Sequence, residues 1–297
     1  MSNTAANLSH KIASASDLKG VVRTMKALAA SSISQYEQSV SALADYYRTV
    51  ELGLSASLRA SESNISAITT NLPTNKHNNE VIGVIIFGSD QGLVGQFNED
   101  VADFAIKTLA DIGGKPLIWA VSERVYSRLA DAGFNMAKGF TVPTSVNDIA
   151  GLIRNIQIDS EKYASQIESA SVYVFHNQPT VGTLYQPVSQ RLLPLDRQWQ
   201  LTLAQIPWPT KLLPEILCST TATVRALIRE YVFISLYRAC AESLASENVS
   251  RLAAMQRAEK NIDELLENLG REFNRWRQNS IDEELNDVLA GYELLAK

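Results

Sequence analysis

The chain has 297 residues, a formal charge of -5 at pH 7, 45% hydrophobic and 20% charged residues. Length and apolar content suit one or two globular domains with a real core, and the acidic balance argues against whole-chain binding to nucleic acid or anionic lipid. No apolar run reaches the roughly 18 residues of a membrane span, and the opening MSNTAANLSHK carries neither an apolar signal core nor an Arg-rich leader, so a bacterial-type cytoplasm is expected, with any membrane link made through partners.

All nine prolines fall between Pro73 and Pro214, together with ten of the fourteen glycines. That distribution predicts a rod at each end, residues 1–72 and 215–297, around a globule at 73–214. In the first rod Tyr36, Val40, Leu43, Tyr47, Val50 and Leu54 alternate spacings of four and three, the seam of a left-handed coiled coil. Val22, Met25, Ala29 and Ile33 extend the stripe toward the start with a slip of one residue. Between Lys26 and Asp45 the only charged residue is Glu37. A free rod in water carries charged outer positions, so this stretch reads as a helix sheathed by another protein surface, against the plainer reading of an Ala- and Ser-rich helix.

The globule alternates strand and helix: Val81 to Phe87 strand, Gln96 to Ile112 helix, Pro116 to Val121 strand, Ser122 to Ala132 helix, Val146 to Ile167 helix, Ser171 to His176 strand. Thr183 to Leu193 adds a last strand, and a tract rich in Pro and Trp, Ile206 to Pro214, leads onward. Alternation of this kind predicts a mostly parallel sheet covered by helices, a Rossmann-like α/β domain. A helix through Glu215 to Lys297 would reach roughly 120 Å, several times the ~30 Å of a small domain, so it cannot be buried in its own globule. Ile262, Leu265 or Leu266, Leu269, Phe273 and Trp276 give it a stripe, and Ile281, Leu285, Val288, Tyr292 and Leu295 continue in fours and threes. Each rod seeks a partner, and the other rod, running antiparallel, is the nearest.

The most enzyme-like string is FGSDQGLVGQFN, Phe87 to Asn98, a glycine-bearing turn between a strand and a helix. Gly88, Gly92 and Gly95 do not fit G-x-G-x-x-G and no Gly-Lys-Ser/Thr follows, so a strand-to-helix turn or docking loop is the better reading than a phosphate loop. Asp90 and Glu99 have no placed base or nucleophile beside them, and no catalytic residue is assigned. His10, His77 and His176, with Cys218 and Cys240, lack metal-ligand spacing; the two cysteines would stand roughly 33 Å apart on one helix, against a limit of about 7 Å for a disulfide. No metal or cofactor is expected. Lys11, Lys19, Arg23 and Lys26 make the start of rod one basic, and Arg271, Arg275, Arg277 and Gln278 cluster late in rod two. Antiparallel pairing would gather them into a cationic collar suited to an acidic protein partner, the alternative being a solvated helical face.

Three stretches carry a resemblance. KIASASDLKGVVRTMKALAASS (Lys11 to Ser32) resembles the N-terminal signature of the gamma subunit of F-type ATP synthases. SENVSRLAAMQRAEKNIDELL (Ser246 to Leu266) with FNRWRQNSIDEEL (Phe273 to Leu285) resembles its C-terminal helix, and SDQGLVGQFN (Ser89 to Asn98) its central SDRGLCG-type motif. The resemblance implies a long antiparallel coiled coil of the N- and C-terminal helices plus the central α/β domain, acting as a rotor shaft with no catalytic residues of its own. The shaft would lie in a hexamer of three alpha and three beta subunits and couple ion flow through a membrane c-ring to ATP synthesis or hydrolysis. Met25 matches the family's methionine at a tight shaft contact, and Arg277 with Gln278 its Arg-Gln pair facing the beta subunits. Lys26 and Arg23 are added from the basic collar. The domain around Ser89 to Asn98 would lie near the foot, where the family meets epsilon and the c-ring. Gln91 stands where the family has a basic residue, Val94 where it often has cysteine, and Asp282 where it has threonine or serine, which suggests a divergent branch such as the N-type ATPases. A coiled-coil adaptor or a nucleotide-binding α/β enzyme are the competing classes.

Overall fold

The computed structural model describes residues 5–60, 81–163, 171–180, 183–195, 202–203, 205–212, 214–215 and 219–295. Ten elements follow in order: α1 (Ala5–Ala60), β1 (Val81–Phe87), α2 (Phe97–Ile112), β2 (Lys115–Val121), α3 (Glu123–Asp131), β3 (Asn135–Phe140), α4 (Val146–Glu161), β4 (Val172–Thr180), β5 (Thr183–Leu193) and α5 (Thr220–Leu295). The chain divides into two compact units, residues 1–30 with 251–297, and residues 31–250.

The larger unit is built on a five-stranded sheet in the order β3-β2-β1-β4-β5. β1 pairs in parallel with β2 and β4, β2 in parallel with β3, and β5 closes the edge antiparallel to β4. VIGVIIF forms the central strand because a parallel strand is covered on both faces and needs apolar residues throughout; Val84 and Ile86 are fully buried. One face packs Val101, Ala102, Ala105 and Leu109 of α2 with Val125 and Leu129 of α3. The other packs Ile149, Ile153 and Ile156 of α4 and Leu236, Ala239, Cys240 and Leu244 of α5, with Tyr36 of α1. Trp119 of β2 is 1% exposed and donates its indole N–H to Asp159 Oδ2 at 3.0 Å, while Lys162 reaches Oδ1 at 2.8 Å. The Lys162 hydrogen bond leads the causes that hold the Asp159 carboxyl below its ordinary pKa.

β3 is absent from the sequence reading. NMAKGF has one glycine and no strict alternation, and the strand sits at an edge with none of its residues buried, so it forms because β2 offers a free ladder rather than because its own residues demand it. The helix expected over 146–167 runs to Glu161, and 164–167 lie outside the described residues. Cys240 is a free, buried thiol whose pKa burial pushes up, and Cys218 lies outside the described residues.

In the smaller unit the start of α1 meets the far part of α5. Val22, Met255 and Ile262 form its core, with Met25, Ala254, Ala258 and Leu266 packed against them. Leu8, Ala15, Val22 and Ala29 are buried at intervals of seven along α1, and within the larger unit Tyr36 and Val50 fall on the same repeat, with half-buried Leu43 between them. The seam therefore runs without the expected slip: Lys26, not Met25 alone, fills the position between Val22 and Ala29.

Candidate functional site

Two surfaces bear on function, one in each unit. In the smaller unit Arg23 Nε donates to Glu259 Oε1 at 2.8 Å, Lys26 Nζ to Glu259 Oε2 at 2.5 Å, and Lys19 pairs with Asp263. Moving back along α1 from Lys26 to Lys19 moves the partner forward along α5 from Glu259 to Asp263, so the helices run antiparallel. The hydrogen bonds from Lys26 and Arg23 lower the Glu259 carboxyl to about 2. Three members of the expected cationic collar thus face two acids of the same chain, Arg23 and Lys26 sharing Glu259, so that most of their charge is answered internally.

Met25 is half-buried in this core, while Leu18, Val21 and Leu28 on α1 are 53%, 56% and 63% exposed. Spaced three and seven apart, these three lie on one helix face with Met25 and form an apolar strip turned outward. The register also sets which α5 residue stands opposite the first described residue of α1. Ala5 and Arg277 lie equally far along their helices from the Lys19–Asp263 pair, about 21 Å at 1.5 Å per residue. Arg277 and Gln278 are exposed, and beyond them Ile281, Leu285 and Val288 are 52%, 56% and 69% exposed. That last seam has no α1 residue opposite it among the described residues. Tyr292 and Leu295 lie outside the described side chains. Sequence reasoning brought Met25, Lys26 and Arg23 to one place, and the structure holds Arg277 and Gln278 at another, near the far end of the pairing.

In the larger unit the string Ser89 to Asn98 forms a tied loop. Asn98 closes it, accepting from the Ser89 N–H at 2.7 Å and donating to the Ser89 carbonyl at 2.9 Å. Ser122 Oγ donates to that same carbonyl at 2.9 Å, and caps α3 by accepting from Arg124 and Val125. Both Asp90 oxygens accept backbone N–H groups, from Glu123 at 2.8 Å and Val142 at 2.9 Å. Leu93 and Gly95 turn through φ of 65° and 67°, which leaves Val94 2% exposed, its carbonyl taken by Ser250 Oγ at 2.6 Å. A phosphate-binding loop needs free N–H groups converging on an open space. Here the Ser89 N–H and carbonyl, both Asp90 carboxylate oxygens and the Val94 carbonyl are spent on neighbouring segments of the chain, which makes the loop a structural tie.

A second polar group lies beside it. His176 Nε2 meets Glu242 Oε2 at 2.9 Å, Arg238 Nε donates to Oε1 at 2.7 Å, and Ser246 Oγ donates to the Asn177 carbonyl at 3.0 Å. Burial works to raise the Glu242 carboxyl, but the hydrogen bonds from His176 and Arg238 outweigh it and its pKa lies below the ordinary value. The sequence placed His176 at a strand end without metal-ligand spacing and Ser246 at the start of the stretch that carries the family resemblance, but nothing in it joined the two segments. Among the described residues no group of three or more His, Cys, Asp or Glu could hold a metal ion, and no helix is long and apolar enough to cross a membrane.

The family model described as ATP synthase matches residues 4–295. An ATP synthase gamma chain of Parafrankia sp. is 29% identical, the match covering 96% of this chain and 96% of the relative. One of Moorella thermoacetica is 25% identical over 97% of this chain and 98% of its own length. Among solved structures, the central stalk and c-ring of the Tetrahymena thermophila mitochondrial ATP synthase matches at 18% identity and a TM-score of 0.54, covering 80% of this chain and 99% of that one. The OSCP/F1/c-ring assembly of the Euglena gracilis enzyme matches at 14% identity and a TM-score of 0.57, covering 98% and 94%.

Proposed function

The chain belongs to the ATP synthase family, and we propose that it is the gamma chain, the central rotor stalk that couples ion translocation through the membrane ring to ATP synthesis or hydrolysis at the alpha/beta hexamer. The observation that carries this reading is the antiparallel meeting of α1 and α5 with apolar residues facing outward. Leu18, Val21 and Leu28 hold a combination of spacing and exposure that costs solubility in a free helix and is relieved inside a close-fitting sleeve. A shaft needs such a surface, because only contact that differs between hexamer conformations can shift their populations.

Within this reading the alpha and beta subunits meet Met25 and the outward strip. Arg277 and Gln278, exposed opposite the first described residue of α1, reach beta-subunit loops. Arg23 and Lys26 act indirectly: they fix the pairing through Glu259 and leave one edge of each cation toward the sleeve. The larger unit meets epsilon and the c-ring, and the subunit sits peripherally on the cytoplasmic face of the bacterial inner membrane, held there by these partners. The catalytic nucleotide sites belong to the hexamer.

Co-purification with the cognate hexamer tests the reading. One copy per three beta subunits, measured by the mass of the intact complex, is the expected result. A chain that stays monomeric beside that hexamer overturns it.

A further inference from the structure

Open α/β sheets hold their ligands in the crevice outside the carboxyl ends of the strands, where the strand order reverses. In this sheet the order reverses between β1 and β4, since β2 and β3 extend to one side and β4 and β5 to the other. That crevice is filled by the chain's own helix. Ser250 of α5 donates to the carbonyl of Val94, in the loop that leaves β1, and Ser246, one turn earlier on the same face, donates to the carbonyl of Asn177, two residues beyond the last β4 residue paired with β1. Arg238 and Glu242 add the link to His176 one and two turns further back.

The chemistry of this seam is unusual for a helix lying on a sheet. Apolar packing is the ordinary way to hold such a helix, and it is non-directional, so a packed helix can ratchet by a turn. Here Ser246 and Ser250 are 0% and 3% exposed, and Glu242 is 8% exposed. Burying such groups costs free energy that only well-placed hydrogen bonds offset. What the arrangement gives in return is a fixed register. One hydroxyl is tied on each side of the reversal, so that neither sliding along the helix axis nor turning about it preserves both bonds. The socket is itself rigid, because the Val94 carbonyl is presented by a loop tied through Asn98, Ser122 and Asp90.

We propose that residues 238–250 of α5, seated in the crevice between β1 and β4, are the joint that carries turning force between the sheet and the shaft helix, with Ser246 and Ser250 as its positioning residues. The proposal rests on the rotor reading above. The SDQGLVGQFN loop is then the fixed half of that joint. Its function is to present one carbonyl at a set place, and the crevice that holds a ligand in other open sheets holds a mechanical contact here.

The test uses the whole complex reconstituted in vesicles, with ATP hydrolysis and ATP-driven ion transport measured together, at zero gradient and against an opposing gradient. The double variant Ser246→Ala with Ser250→Ala removes both hydroxyls while leaving the helix small on that face. Expected are normal assembly, hydrolysis within about twofold of the unaltered complex, and a loss of transport per ATP that appears against the gradient. Each lost hydrogen bond speeds slippage about fivefold. Ser250→Thr keeps a hydroxyl and is expected to restore coupling, which a purely volumetric role would not predict. Ser235→Ala, at another buried α5 serine, is the control and is expected to stay coupled. Equal transport per ATP in the double variant and the unaltered complex under load overturns the joint, as does equal uncoupling by Ser235→Ala. If the double variant does not assemble, the two single variants are read by the same criteria. Failure of the unaltered chain to join the hexamer overturns the rotor reading instead, so the two failures are distinct.

Discussion

Replacing Gly88 by alanine strikes the point where the tied loop leaves β1. A Cβ there would lie 2.4 Å from Val125 Cγ2, 2.8 Å from Asn98 Oδ1 and 3.0 Å from Ser122 Cβ. None of these neighbours is a flexible end. Val125 is fully buried in α3, Ser122 is held at a φ of 143° while it caps that helix, and Asn98 makes both bonds that close the loop. Overpacking a rigid site costs typically about 1–3 kcal/mol, and displacing Asn98 forfeits two hydrogen bonds worth about 1 kcal/mol each. With part of the strain relieved by that displacement, the total is about 3–4 kcal/mol. For a unit of this size that corresponds to a fall in melting temperature of roughly 10 °C. Gly83→Ala is the internal comparison, because its Cβ would meet nothing nearer than Val172 Cγ2 at 3.5 Å, an ordinary contact. Circular dichroism melts of the two variants at one scan rate decide the matter. A Gly88→Ala protein that melts within about 2 °C of the unaltered chain, or no lower than Gly83→Ala, refutes the reasoning.

Three further outcomes are expected. Glu259 is held at about 2, below its ordinary 4.5, so the stability it contributes is present above the ordinary value and is lost as pH falls from there through the folded value; Glu259→Gln should flatten the melting temperature in that acid window, and an unchanged slope counts against the pairing with Lys26 and Arg23. Gly270 lies inside α5 with nothing within 4 Å of an added Cβ, so Gly270→Ala should stabilise the helix by about 1 kcal/mol and slow amide exchange around it by about fivefold; faster exchange would mean that the glycine relieves a strain. Arg277→Ala or Gln278→Ala should lower turnover or coupling in the reconstituted complex while leaving the melt of the isolated chain unchanged, and unchanged coupling in both variants removes their contact role.

The long helices were legible because one residue type decides them: proline costs ~3 kcal/mol inside a helix, and its absence from both ends permits what the stripes then require. The central strands were legible from their apolar runs. β3 was not, since an edge strand is stabilised by its neighbour's ladder and none of its own residues is fully buried, with Asn135, Lys138 and Gly139 exposed. The tied loop could be bounded but not interpreted. That Asp90 spends both oxygens on the N–H groups of Glu123 and Val142 depends on chain segments 33 and 52 residues away, which no local spacing encodes. Ser246 and Ser250 were hidden for a related reason, because a serine on a helix reads as surface until the strand end that receives its hydroxyl is known.

The slip read into the first seam has a physical meaning. Period-seven burial from Leu8 through Val22 and Ala29 requires an inward position at Lys19 and another at Lys26, and a search for apolar residues passes over both. A lysine at such a position buries its stem and carries its head to an acid at the rim. Asp263 and Glu259 supply those acids. Apolar side chains alone would let two long helices pair in more than one register, since each heptad resembles the next; a charged residue at a seam position admits only the register that brings its counter-ion within reach. In the larger unit buried serines impose the same restriction by a different chemistry. Both devices give up some hydrophobic stabilisation for a fixed alignment, a trade that suits a part whose contacts must stay in place while it is turned.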